Sequence, residues 1–451
     1  MPTKFDLAYL AAAPVMAPLQ IFKLMRSGRP IAPLWERLRG PFLSKGEKPR
    51  IWVHAVSLGE VSAGRPLVRL LSAANPDYEV VVSASTETGR DQAARLYGME
   101  RSFPCPLDFS WTVGKAFDSV NPALLVLLEL EVWPNLVAEA VRRKVPVAVV
   151  NGRITDRSAQ GYMRFKNALA STFKGVGLYA VQTDAYAERF AAIGAPRERI
   201  VVTGSMKYDC SVVVGNPEKR DAMRRRLLLR PESLVLVAGS THPGEEQAVA
   251  EAATKLSARF PNLRLVLVPR HVNRVGQLVK DISSWGFSAV RKTAIDAAGV
   301  TCRPPIGPKE VMLVDTTGEL GDVYHAADVV FVGGSLIPHG GQNVIEPAGL
   351  GLPVLWGPHT FNFDDAVARI LAAGGGQMVK DGAELAAALE ELLADPRRRQ
   401  IMGAAAQQSI ARAQGAAEKT AEMLKRMLTG AKPVDQVDLV DVADKADAMG
   451  G

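Results

Sequence analysis

Short apolar runs recur through this chain, each too brief for a helix and most of them separated by a stretch of helical periodicity. "IWVHAV" (51–56), "EVVVSA" (79–84), "ALLVLL" (123–128), "VPVAVV" (145–150), "GLYAV" (177–181) and "IVV" (200–202) form one series. Patterns such as 133–144 and 184–192 read as helices between them. The runs are apolar throughout rather than alternating, so these strands are expected to be parallel and covered on both faces. "KYDCSVVVGNPEKRD" (207–221) interrupts the rhythm and reads as a linker. The series restarts at "SLVLVAGST" and "LRLVLVPRH", and continues through "EVMLVD", "DVVFVGGS" and "LPVLWG". It ends in Ala-rich helices over about 382–428. The pattern predicts an α/β chain of two doubly wound halves of similar size with a cleft between them. A length of 451 residues also suits two domains of roughly 200 each. The expected boundaries are an N-terminal segment 1–40, domains 41–210 and 211–430, and a flexible tail 431–451 rich in acids and small residues.

Composition narrows the function. A net charge of +7 points to an anionic partner: nucleic acid, a membrane surface or a phosphorylated substrate. Aromatics are only 6% and no basic stretch is interleaved with them, which argues against single-stranded nucleic acid. Cys105, Cys210 and Cys302 are far apart, so neither a disulfide framework nor a zinc site is indicated. The six histidines lack HExxH spacing, so no metal is expected. The stretch "FDLAYLAAAPVMAPLQIF" (5–22) is largely apolar with one acid, Asp6, and Lys23, Arg26 and Arg29 follow it. It is short for a spanning helix. Either it spans with the body of the protein in the cytoplasm, or it lies flat as an interfacial anchor. A terminal helix packed on its own core is the plainer alternative.

Loops at the carboxyl ends of parallel strands hold the ligands of open α/β sheets, and several here carry polar residues. In "HAVSLGE", Glu60 stands where a strand hands over to a helix, as a capping acid or a reactive one. In "LELEVWPN", Glu129 and Glu131 follow an apolar strand, and alternation would put both on one face. Arg153 or Arg157 could neutralise them. Lys207 ends the first half. In the second half, "GGSLIPHGGQN" has four glycines before a helix expected near Asn343, which suits backbone N–H contact with an anion. "AGSTHPGEE" is a second possible cradle, and Arg270 after Pro269 could fork onto a phosphate or carboxylate. Glu346, one turn after Asn343, suits the hydroxyls of a ribose. Neither GxxxxGK[ST] nor a GxGxxG after the first strand is present, so a mononucleotide is the better expectation. Taken singly, each feature is also compatible with an ordinary turn, cap or surface pair.

Together the stretches "HAVSLGE", "LELEVWPNL", "NGRITDRSAQGY", "VTGSMKYD", "STHPGEE", "VPRH" and "ADVVFVGGSLIPHGGQNVIEPAGLGLPVLWGPHTFNF" resemble the Kdo transferase family. Its members move 3-deoxy-D-manno-octulosonic acid (Kdo) from CMP-Kdo onto the lipid A precursor. The resemblance runs to about residue 425. It implies a GT-B glycosyltransferase architecture, two Rossmann-like domains facing a central cleft, with the acceptor on the first and CMP-Kdo on the second. By position it implies Glu60 as catalytic base and Glu129 and Lys207 as groups that stabilise the transition state. It implies Pro269, Arg270, Thr317, Gly318, Glu319, Asn343, Val344, Ile345 and Glu346 as CMP contacts. The chain departs from the family's usual residues at Leu130, Thr317 and Gln342. The resemblance further implies inverting transfer without metal or cofactor, and attachment to the cytoplasmic face of the inner membrane through the N-terminal segment. The basic clusters at 142–144 and 220–226 could add charge near the bilayer, or be solvated helix faces. A UDP-sugar transferase or epimerase of the same architecture, and a catalytically silent lipid-binding relative, are the alternatives.

Overall fold

The structure is a computed structural model that describes residues 3–14, 32–40, 42–44, 46–211, 216–300 and 303–430. Residues 15–31 of the expected anchor, part of the expected linker (212–215), Cys302 and the tail 431–451 lie outside the described residues. The chain divides into two units. The first takes in the described parts of Met1–Cys210 and Gln414–Gly451, and the second those of Ser211–Ala413.

The first unit carries a sheet of β1 (Arg50–Ala55), β2 (Glu79–Ala84), β3 (Ser102–Pro104), β4 (Pro122–Leu128), β5 (Val147–Gly152), β6 (Leu178–Val181) and β7 (Ile200–Val202). Every pairing is parallel, in the order β3-β2-β1-β4-β5-β6-β7. The order reverses between β1 and β4, which opens a crevice at their carboxyl ends. The second unit repeats the plan with β8 (Leu234–Thr241), β9 (Leu263–Pro269), β10 (Ser288–Arg291), β11 (Glu310–Leu313), β12 (Val329–Val332), β13 (Val354–Trp356) and β14 (Gly376–Met378). Its order is β10-β11-β9-β8-β12-β13-β14, again all parallel, with the reversal between β8 and β12. Both sheets are buried on both faces. In the first unit, Trp52, Leu125 and Val149 pack on one side, and Ile51, Val53 and Val126 on the other. That two-sided burial is why the strands read as continuous apolar runs.

Several elements depart from the sequence expectation. The short strands β3, β10 and β14 sit at sheet edges. There one neighbouring strand suffices and a long apolar run is not required. The stretch after Glu60 breaks into two helices, Leu58–Ala63 and Arg65–Ala74. Pro66, near the start of the second, has no N–H to continue the first. The helix Ala416–Thr429 belongs to the first unit, although chain order had assigned it to the second domain. Its Ala417, Met423 and Leu424 join the core beside Leu67 and Leu71. Asp209 caps it, accepting from the N–H groups of Gly415 and Ala417 at 2.7 Å each.

The N-terminal segment forms a helix over 4–14 that docks on the first unit. Asp6 is buried and accepts from Ser110 N (2.9 Å), Ser110 Oγ (2.6 Å) and Asn135 Nδ2 (3.1 Å). Burial alone would raise its pKa, but the bonds from Ser110 and Thr3 hold its carboxyl below the ordinary range. Tyr9 donates to Asp108 at 2.8 Å. Beside these contacts, Leu7 is 61% and Leu10 50% exposed. No described helix is long and apolar enough to cross a membrane.

Candidate active site

In the first unit the reversal point gathers the expected residues. β1 ends at Ala55, and Ser57 caps the helix that bears Glu60. Ser57 Oγ accepts from Glu60 N at 3.4 Å. In return, Glu60 accepts from Ser57 Oγ (3.0 Å) and from Val56 N (2.8 Å). This is a variant of the capping box, with the N–H of Val56 in place of that of the cap residue Ser57. One bond on each oxygen leaves both with a free lone pair, and the side chain is only partly covered. Glu60 therefore serves as cap and remains open to a proton donor. Burial raises its pKa above the ordinary carboxylate value.

Glu129 does not continue the strand. The chain turns there with φ of 57°, left-handed for a residue with a side chain, so alternation no longer governs the pair Glu129 and Glu131. Such strain persists where the surroundings impose it, often at functional sites. Here Glu129 N donates to Val150 O at 2.9 Å and fixes the turn against β5. The Glu129 pKa is raised by burial and by the nearby Glu60 carboxylate, against the pull of Lys207 and Arg153. Those influences bring Glu60, Glu129, Lys207 and Arg153 into one neighbourhood. Glu131 belongs to it too. Burial first, then Glu60 and Glu129, push its pKa up to about 7 despite a 2.8 Å bond from Trp133 Nε1.

Asn151 is a further member that the sequence reading did not single out. It is left-handed (φ 52°) at the end of β5, and its Oδ1 accepts from Met206 N at 3.1 Å. That bond ties the segment bearing Lys207 to the strand beside Glu129. The signal was available: Asn-Gly directly after an apolar run marks a residue type that tolerates a left-handed turn.

In the second unit the glycine loop is already occupied. Glu245 is 1% exposed, and its carboxylate accepts from Gly334 N (2.7 Å), Ser335 N (2.9 Å), Leu336 N (2.9 Å) and His242 N (3.0 Å). The backbone donors that had suggested an outside anion thus serve an internal one. What stays accessible lies around them. Arg270 is exposed just past buried Pro269, with Arg270 N bonded to Thr241 O. Ser240, at the end of β8, is left-handed with φ of 54°. Thr317 and Gly318 are exposed. The carboxylate of Glu319 is taken by Thr316, Lys292 and Arg226.

The helix expected near Asn343 is Ile345–Gly349. Asn343 accepts from Ile345 N and donates to Glu346, both at 3.0 Å. Val344 and Ile345 are 1% and 2% exposed, so their side chains serve the core rather than a ligand. Burial raises the Glu346 pKa against the bond from Asn343. Glu346 Oε2 lies near Gly321, which brings Asn343–Glu346 beside the 317–319 loop. His242 packs on His339 with ring centroids 4.1 Å apart, and His271 meets it edge-on at 5.7 Å. Among the described residues no cluster of His, Cys, Asp or Glu could hold a metal ion.

Solved structures with the same fold include UDP-GlcNAc 2-epimerase from Neisseria meningitidis. It is 13% identical, with 84% of this chain and 100% of that one covered at a TM-score of 0.54. A glycosyltransferase from Rickettsia africae is 11% identical, with 85% and 99% covered at 0.54. At such identities the likeness speaks for two Rossmann-like domains of the GT-B class and for nothing finer. The family model for 3-deoxy-D-manno-octulosonic-acid transferase (kdotransferase) matches residues 33–210. The 3-deoxy-D-manno-octulosonic acid transferase of Haemophilus influenzae is 32% identical over 380 residues, 84% of this chain and 87% of that one. The Bordetella pertussis enzyme of the same name is 34% identical over 389 residues, with the same shares covered. On that similarity, carried through 87% of both relatives, the chain belongs to the 3-deoxy-D-manno-octulosonic acid transferase family.

Proposed function

We propose that this protein transfers Kdo from CMP-Kdo to the lipid A precursor, tetraacyldisaccharide bisphosphate, in lipopolysaccharide core biosynthesis. The observation that carries the reading is Glu60: a partly covered carboxylate at a strand-order reversal, with spare lone pairs, within electrostatic reach of Glu129, on which Lys207 also acts. A sugar hydroxyl is a weak nucleophile and gains from a base within hydrogen-bond reach. Glu60 accepts the acceptor's hydroxyl proton as that oxygen bonds to the anomeric carbon of Kdo. The bond from that carbon to the phosphate oxygen breaks, and CMP leaves with the electron pair. A single displacement of this kind inverts the anomeric centre. Arg270 and Lys207 meet the charge that grows on the phosphate. Because these cations stabilise the leaving group, the reaction is expected to survive a chelator.

The acceptor is a membrane lipid, and the protein is proposed to work on the cytoplasmic face of the inner membrane. Supporting this, Leu7 and Leu10 are exposed on the docked N-terminal helix. Trp111 stacks on Phe109, which meets Tyr9 of that helix. Lys4 reaches Ala168 O, close to exposed Phe165.

The test combines purified protein, CMP-Kdo generated in place and tetraacyldisaccharide bisphosphate, and weighs the lipid. Each transferred Kdo adds one mass step, and Glu60→Gln is expected to slow its appearance by about 10²-fold or more. No step with the wild type, or an undiminished one with Glu60→Gln, overturns the proposal. Protection from heat by UDP rather than CMP would point to the UDP-sugar alternative.

A further inference from the structure

One buried charge in the second unit has no part in the chemistry above. β10 and β11 run parallel with Arg291 opposite Leu313, so the turn after each leaves the sheet at the same end. Arg291 and the start of the helix Lys292–Ala298 grip both acids of the loop 315–319. Asp315 accepts from Arg291 Nε (2.7 Å), Thr293 N (2.9 Å) and Thr293 Oγ1 (2.6 Å). The Lys292 side chain is 0% exposed, and its ammonium contacts Asp296 and, at 3.0 Å, Glu319. Arg226 closes the group from the helix Pro217–Arg226, 3.3 Å from Asp296 and 3.1 Å from Glu319. Thr316 Oγ1 donates to Glu319 as well.

Lys292 and Arg226 balance Asp296 and Glu319, so the cluster has no spare charge for a ligand. It organises. A purely structural need would be met as well by an apolar side chain of similar volume, because burying an ammonium costs several kcal/mol before its partners repay it. What the ion pairs add is direction: they fix which way each loop carboxylate points. Fixed by Asp315, Thr316 and Glu319, the loop presents Thr317 and Gly318 to solvent. Gly318 has φ of +85° and nothing within 4 Å of where a Cβ would lie. Glycine is thus needed there for the turn and not for packing, and the backbone beside it lies open to a ligand.

We infer that Lys292 is a positioning residue for donor binding: it holds the 315–319 loop so that the exposed backbone of Thr317 and Gly318 is preset for the cytidylate of CMP-Kdo. The inference rests on the donor reading above. Asp315 and Glu319 are both held below the ordinary carboxylate range. Burial acts against this, and it is outweighed by Thr293 and Arg291 for Asp315, and by Thr316, Lys292 and Arg226 for Glu319. Both carboxylates of the grip are therefore ionised throughout the neutral range.

The experiment measures the calorimetric Kd for CMP and the steady-state KM and kcat for CMP-Kdo, using the full-length protein. Lys292→Met, which keeps the volume and removes the charge, is expected to raise both the Kd and the KM at least tenfold while kcat stays within threefold. Arg291→Gln, at a largely exposed arginine, and Thr316→Val are expected to raise the same two constants by smaller factors, about threefold. Wild-type Kd and KM in Lys292→Met, or a fall in kcat at unchanged KM, overturn the inference. Should Lys292→Met fail to fold, Arg291→Gln and Thr316→Val decide by the same readouts, and unchanged constants in both overturn it. A wild-type protein that does not bind CMP overturns the donor reading and this inference with it. Wild-type binding with unaffected variants overturns the positioning role alone.

Discussion

Glu60 shows how one side chain can serve structure and chemistry together, and the two contributions separate by substitution. Its bonds to Val56 N and Ser57 Oγ are those of a capping acid, and losing a cap costs about 1 kcal/mol. General-base assistance contributes roughly 10²–10⁴ in rate. Glu60→Gln keeps an acceptor for Val56 N–H and loses the base. The expected outcome is a melting temperature within a few degrees of wild type and a kcat lower by about 10²-fold or more. A large loss of stability with little loss of rate would make Glu60 a cap alone. Glu131 offers a second test, through pH. Burial and two neighbouring carboxylates put its pKa at about 7 in the folded protein, against about 4.3 when unfolded. Between those values the folded state binds more protons than the unfolded, so this group's contribution to stability falls as pH rises from about 4.3 to 7. Glu131→Gln retains an acceptor for the Trp133 N–H and removes the ionisation. It is expected to raise the melting temperature more at pH 8 than at pH 5, and equal shifts at the two values would refute the assignment.

At the scale of elements, the central strands of both sheets were legible because two-sided burial forces a continuous apolar sequence. The edge strands β3, β10 and β14 were not. "SFP", "SAVR" and "GQM" carry no such signal, since an edge strand of three or four residues takes its place from a single neighbour. Glu60, Glu129 and Lys207 could be read from position, but not the backbone turn at Glu129 or the carboxylate inside the glycine loop. Each depends on a partner far along the chain: Glu129 on Val150, Gly334 on Glu245. Glu245 yields a prediction of its own. Its two oxygens accept four backbone N–H groups. Glu245→Gln would turn an amide nitrogen toward two of them, whichever way it flips. Leaving buried donors unpaired costs about 1–3 kcal/mol each. The variant is expected to lose roughly 3 kcal/mol or more in a denaturant melt, with the 333–343 loop exchanging amide hydrogens faster. A melt like that of wild type would mean that the loop holds its shape without this anion.

Over the whole molecule, a net charge of +7 and an exposed apolar helix face make separate contributions to any bilayer affinity. The charge acts through anionic lipid, at about 1 kcal/mol for each Lys or Arg held near the surface, and is screened by salt. The apolar face acts through area removed from water and is insensitive to salt. Because Asp6, Tyr9 and Thr3 already fasten the N-terminal helix to the first unit, Leu7 and Leu10 can be changed without disturbing its docking. A Leu7→Glu, Leu10→Glu double variant removes apolar area and adds two negative charges. It is expected to melt like wild type yet sediment at least tenfold less with vesicles of 30% anionic lipid at low salt. Raising the salt should weaken wild-type binding but not abolish it, leaving the apolar share. A variant that sediments like wild type would mean that this helix face is not the attachment surface. Wild-type binding lost entirely in salt would mean that charge alone holds the protein to the bilayer.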